Sequence, residues 1–350
     1  MKKLFFITAI ASVALASCVK NEVAPTAMQQ NEITFAAPVV GPQTKVNGEI
    51  GATYNTGESF DVWCVHNTTD ISDTWGGTAY FSDVKATYDA GLGGWTLSPK
   101  YYWPATGKLS FVALSPSLAN TTAYDHANGF QITTAWSQGA NQDAIIDLMY
   151  SEPTFDCEKA SFVNADNDND DDSGNYKFNG VDINFKHALS YIVFKVKTTA
   201  DYSATTKFRL NTITLSGIYT TGTFNQKAVD PWTEDTSGAT GTYVAYTNST
   251  GLDFGTSAVN APAAATKEII LLPQELIAGQ QKITVNYQIS TDGGTTYINQ
   301  VQEVDLKNAT VAAWEMGKKY TYNLSIGMTE IIFDPAVTYW TEEAGGDITF

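Results

Sequence analysis

Apolar and polar side chains alternate one by one along most of this chain, the period of a strand with one covered face. In residues 31–40, Ile33, Phe35, Ala37 and Val39 alternate with Thr34, Ala36 and Pro38. Similar runs follow at 59–65, 95–97, 101–104, 108–114 and 144–150, each bounded by turn-forming residues. The second half repeats the pattern at 181–190, 191–196, 208–215, 268–273, 282–289, 296–304 and 319–326. Residues 226–266 are rich in Thr, Gly, Ala and Asn and read as loops with weak strands. Beyond the first 17 residues no segment carries a sustained helical period with start and stop signals. The expected fold is all-β.

One short string recurs. Glu32-Ile33-Thr34-Phe35 reads much like Glu330-Ile331-Ile332-Phe333 and like Asp347-Ile348-Thr349-Phe350. If all three carry the same face, a groove that holds the first would hold one of the others. A sandwich domain can close at residue 326, yet residues 327–350 follow with three β-like runs. An extra strand with an apolar face needs a sheet to join, or it invites aggregation. Joining the sheet of another copy covers that face and satisfies the backbone. Chance recurrence of Ile-x-Phe in ordinary β segments stays open beside this reading.

Composition narrows the picture. The 350 residues suffice for two domains of ordinary size. Hydrophobic residues make up 43% and charged residues 16%, and 8 Trp, 18 Tyr and 17 Phe favour strands. A net charge of −17 sets nucleic acid aside as a partner, because phosphate binding needs a basic face. Arg209 is the sole arginine, so bidentate phosphate or carboxylate clamps are nearly excluded.

Residues 1–18 form a processing segment, with Lys2 and Lys3, an apolar run at 4–15 and small residues leading to Cys18. Leu15-Ala16-Ser17-Cys18 looks like a lipobox, which implies a diacylated Cys18 holding the protein to an outer-membrane lipid surface. Lys45 is flanked by turn-formers, as suits a loop open to a protease that would leave Val46 as the new N-terminus. A solvated lysine with no role is the alternative. Cys64 and Cys157 pair as a disulfide or stay as two buried thiols, and their spacing does not choose. Asp166, Asp168 and Asp170 have the alternate spacing of a calcium loop, but no Gly takes the sixth position and Lys177 stands at the twelfth. A solvated acidic loop is the better reading.

Catalytic signatures are missing. His66, His126 and His187 lie in separate segments, and no nucleophile-elbow, zincin or phosphate-loop pattern occurs. No enzyme activity, cofactor or metal is expected. A surface glycan-binding lipoprotein is the rival reading, with Trp95, Trp103 and Trp314 either stacking on sugars or filling the core.

In order, four groups of residues resemble the fimbrillin family, the pilins of type V fimbriae. They are the lipobox with its Ile-x-Phe strand, and Tyr102-Trp103-Pro104 running into Leu109-Ser110-Phe111-Val112-Ala113-Leu114-Ser115-Pro116. Phe185-Lys186-His187-Ala188-Leu189-Ser190 follows, and then Lys319-Tyr320-Thr321-Tyr322-Asn323-Leu324 ahead of Ile331-Ile332-Phe333-Asp334-Pro335 to Trp340. The resemblance implies two tandem β-sandwich domains of transthyretin-like, Greek-key type, expected at 46–178 and 179–326. It implies a signal peptide at 1–17, a tether and removable strand at 18–45, and a donor-strand extension at 327–350. Export to the cell surface, cleavage by a trypsin-like protease and head-to-tail joining of copies or related subunits are part of the same implication. The displaced residues would be Ile33, Phe35, Ala37 and Val39; the donor residues would come from Ile331, Phe333, Val337, Trp340, Ile348 and Phe350. Family members are usually cut after arginine, and Lys45 is the nearest match here. The adhesion ligand, from host or bacterial surface, stays open.

Overall fold

A computed structural model describes residues 32–35, 44–45, 49–50, 58–71, 74–90, 94–118, 122–139, 146–159, 180–261, 269–308, 310–328 and 331–340. The first half carries β1 (Thr34–Phe35), β2 (Thr44–Lys45), β3 (Glu49–Ile50), β4 (Ser59–Asn67), β5 (Thr78–Asp89), β6 (Gly94–Ser98), β7 (Lys108–Ser115), β8 (Thr122–Asp125), β9 (Gly129–Ser137), β10 (Met149–Ser151) and β11 (Thr154–Cys157). Then come β12 (Phe185–His187), β13 (Ser190–Thr198), β14 (Lys207–Tyr219), β15 (Thr221–Asn225), β16 (Trp232–Glu234), β17 (Thr240–Phe254) and β18 (Val259–Ala261). The last seven are β19 (Ile269–Leu271), β20 (Gln274–Glu275), β21 (Lys282–Ser290), β22 (Ile298–Asp305), β23 (Ala313–Trp314), β24 (Lys318–Ile326) and β25 (Ile331–Tyr339). No α-helix occurs among the described residues, as the alternation predicts.

An eight-stranded sheet in the order β1-β6-β5-β4-β7-β10-β12 dominates the first half, with β11 also on β7. Strand β7 is buried on both faces. Leu109, Phe111 and Ala113 enter one core with Ile33, Phe35, Phe60 and Trp95, while Val112 and Leu114 enter a second core shared with the rest of the chain. That double burial explains why residues 109–114 read as a nearly unbroken apolar run. In the second half, the sheets β18-β13-β24-β25 and β17-β14-β21-β22 face each other. Phe194, Val196, Tyr322 and Leu324 from one meet Leu210, Ile213, Val285 and Tyr287 from the other, the interdigitation of a β-sandwich.

The two halves are tied together by strand pairing. Strand β15 pairs with β9 in a four-stranded sheet, and β12 pairs with β10. Val181, Ile183 and Phe185, just past the boundary expected at 178/179, lie in the first core. Cys64 and Cys157 are buried free thiols.

Two long strands depart from the expected pattern. Residues 226–266 read as loops with weak strands, yet β17 within them is fifteen residues long. Ile213 pairs with Tyr246 and Thr214 with Val244, so Ala245 bulges out of the ladder and Ala245 and Tyr246 are both buried. The bulge shifts the period by one and hides the alternation. Strand β5 does the same: Val62 pairs with Val84 but Cys64 with Phe81, and Asp83 takes a φ of 54° at the extra residue.

Candidate functional site

The site is the seat of β1. Ile33 and Phe35 are 0% exposed. The Phe35 ring meets Phe60 and Phe111 edge-on, with centroids 5.8 and 5.5 Å away. Burying two such side chains stabilises the fold by about 3–6 kcal/mol together. Backbone bonds hold the strand on both sides. Thr34 and Phe35 pair with Thr96 and Trp95 of β6, and the Ile33 N–H donates to the Tyr101 carbonyl at 2.8 Å. On the opposite side the Val181 N–H donates to the Thr34 carbonyl at 2.9 Å.

Val181 leads into β12, the strand at the far end of the eight-stranded sheet. Strand β1 therefore lies between the two ends of one sheet. Without it, two rows of backbone groups and the apolar floor at Phe60 and Phe111 would face water.

Glu32 stands at the start of this strand, bridged to Tyr102. Its carboxylate is 2% exposed and accepts a bond from the Lys100 ammonium at 2.7 Å. That bond holds the Lys100 pKa above its ordinary value, while partial burial pulls the other way. Lys100 was not singled out from the sequence; an acid directly before an Ile-x-Phe strand asks for a basic partner, but nothing local says which one.

The other end of the chain is built differently. Strand β25 pairs with β24 over its whole length, from Ile326 opposite Ile331 to Lys318 opposite Tyr339. It is the last strand of its sheet. Ile331 is partly buried and Pro335 buried, but Ile332 is exposed, Val337 is 41% exposed and Tyr339 71%. Lys318 sits over the Tyr339 ring, 3.9 Å from its centroid.

Trp340 then turns back into the protein. Its N–H donates to the carbonyl of Gly317, whose φ of +67° favours glycine at that turn. The Trp340 ring stacks on His187 with centroids 3.4 Å apart and planes 6° from parallel, and on Tyr191 at 5.2 Å. Below it, His187 Nδ1 meets the buried Asp147 carboxylate at 2.9 Å. Burial pushes the Asp147 pKa up, and His187 pulls it partly back.

The remaining expected residues are placed as follows. Lys45 lies in a two-residue ladder with its backbone opposite Glu49. Phe333 is in β25 opposite Leu324. Cys18, Ala37, Val39, Val46, Ile348 and Phe350 lie outside the described residues, as does the acidic run at 164–174. Trp95, Trp103 and Trp314 are core residues rather than an exposed aromatic platform.

A family model described as fimbrillin-like matches residues 44–340. The chain belongs to the fimbrillin-like family. No curated protein matches this fimbrillin-like chain. Solved structures do. A fimbrial protein from Bacteroides vulgatus ATCC 8482 superposes with a TM-score of 0.53 at 17% identity, covering 89% of this chain and 100% of the other. A protein from Bacteroides uniformis ATCC 8492, proposed to act in cell adhesion, gives a TM-score of 0.50 at 18% identity, covering 89% and 99%. At those identities the likeness speaks for the shared fold of this fimbrillin-like chain.

Proposed function

We propose that this fimbrillin-like protein is a structural subunit of a surface fimbria that supports adhesion and polymerises by strand replacement. Export through the lipobox anchors it at Cys18 to the outer membrane. A trypsin-like protease cuts after Lys45 and frees β1. The C-terminal segment of a neighbouring subunit then takes the seat that β1 leaves. The joint runs head to tail, so it propagates as an open filament instead of closing a dimer.

The observation that carries this reading is the seat itself: Ile33 and Phe35 fully buried on a strand bonded on both sides, with Lys45 only ten residues beyond Phe35. A filled groove of this kind recovers apolar burial and a backbone ladder from any strand of the same pattern. No catalytic group is required of the subunit.

Limited trypsin treatment of the lipid-free folded protein tests it. The expected result is a new N-terminus at Val46 by mass spectrometry and SDS-resistant multimers with filaments by electron microscopy. A protein that is cut at Lys45, loses its N-terminal piece and remains monomeric sinks the reading.

A further inference from the structure

We infer that Lys100, together with the two cavities filled by Ile33 and Phe35, reads a four-residue string of acid, Ile, Thr and Phe, and that in the assembled protein residues 347–350 of a second copy occupy this seat. The inference rests on the strand replacement proposed above and names the donor and the residue that sets its register.

Three observations lead there. The first is the cost of Glu32. One carboxylate oxygen bonds Lys100, but Oε1 is buried without a hydrogen-bond partner among the described residues. A half-satisfied buried acid costs stability, and register control is the best-attested use of such a group. Sliding the strand by one residue would put Ile33 against Lys100 in one direction, or the Glu32 carboxylate into an apolar cavity in the other.

The second is the match in sequence. Asp347-Ile348-Thr349-Phe350 repeats Glu32-Ile33-Thr34-Phe35 in type at every position, whereas residues 330–333 put Ile332 where Thr34 stands. Aspartate is one methylene shorter than glutamate. The Lys100 side chain is 58% exposed, so its stem is free to follow the shorter acid.

The third is the state of β25. Residues 331–339 already pair with β24 at nine positions, and Trp340 is stacked on His187. Donating that strand would break the ladder and uncover Asp147. Residues 347–350 lie beyond it, and their donation breaks none of these contacts. The residues between Trp340 and Asp347 span at most about 25 Å when extended. Successive copies must therefore sit close, with the β25 edge of one near the β1 seat of the next.

The register makes the test sharp. Thr34 stands opposite Thr96, and its carbonyl turns away to Val181. The pair exchanges no backbone bonds, the closer of the two antiparallel spacings. In the joint, Thr349 takes the place of Thr34. The full chain carrying Thr96→Cys and Thr349→Cys is folded, trypsin-treated and mildly oxidised. The expected result is an intermolecular 96–349 disulfide in most joints, with no 96–332 disulfide when Ile332→Cys replaces Thr349→Cys. Asp347→Asn and Lys100→Gln should each slow joint formation several-fold, and the double variant should be no slower than either alone.

A 96–332 disulfide, or multimers that form without a 96–349 disulfide, overturns this assignment and leaves strand replacement standing. Equal rates for Asp347→Asn and the unaltered chain overturn the part given to Lys100. If the unaltered chain forms no multimers after cleavage, the reading beneath falls and this inference with it.

Discussion

The strands at the two ends of this fimbrillin-like chain are held by opposite means. Strand β1 is short, with Ile33 and Phe35 fully buried and neighbours bonded on both sides. Strand β25 is nine residues long, bonded on one side, with Ile332, Val337 and Tyr339 in solvent. The first depends on two side chains in shaped cavities. The second depends on a continuous backbone ladder and on one ring, Trp340, that closes its end. A strand held by two cavities and a charge is the kind that the proposed replacement requires, since another segment with the same pattern offers the same groups. A strand held by a nine-position ladder is costly to remove and well placed to stay.

The largest expected effect comes from emptying a cavity under β1. Phe35→Ala should lower the unfolding free energy by about 3–5 kcal/mol, read from the urea midpoint at unchanged slope. A loss under about 1 kcal/mol would mean that the seat collapses freely around the gap, contrary to its rigid aromatic lining. Trp340→Ala comes next. It removes the ring from His187 and opens the buried Asp147 pair to water. The expected cost is about 3 kcal/mol, the lower end for a buried tryptophan. Because β25 is an edge, the loss should appear first as faster amide exchange in 331–339 while β14 and β21 stay protected.

Much of this architecture was legible in the alternation of side chains. Residues 191–196, 282–289 and 319–326 alternate cleanly, and they are the interior strands β13, β21 and β24. Burial of Ile33 and Phe35 was legible for the same reason. What stayed hidden has two physical causes. Bulges at Ala245 and Asp83 shift the period, so β17 and β5 lost their signal. Contacts distant in sequence leave no local trace: nothing near Glu32 announces Lys100, and nothing near Trp340 announces His187 and Asp147. The seat of β1 needed Val181 from beyond the expected domain boundary, a pairing that no periodicity encodes.

Smaller effects sharpen the contrast. Ile332 and Val337 are exposed on opposite faces of β25, so Ile332→Lys and Val337→Lys should each change monomer stability by no more than about 0.5 kcal/mol, measured by urea unfolding. The same charges in the seat of β1 would be far costlier, since an unpaired buried charge has no solvent to turn to.

The Lys100 clamp gives a small change and the clearest sign. Lys100 is mostly exposed and glutamine keeps a hydrogen-bond donor for the buried Glu32 carboxylate, so Lys100→Gln should cost only about 1 kcal/mol at neutral pH. Its bond to Glu32 raises its folded pKa above the unfolded one. A cation with a raised folded pKa contributes its full stability below the unfolded value, and that contribution fades as pH climbs through the folded value. The difference between the unaltered chain and Lys100→Gln should therefore be flat from pH 7 to about 9 and shrink only beyond about 10.4, the ordinary lysine value. Urea midpoints of the two chains measured in parallel across that range decide it. A difference that instead grows with alkalinity would show that the ammonium is a burden on the seat, and the register role of Glu32 would lose its partner.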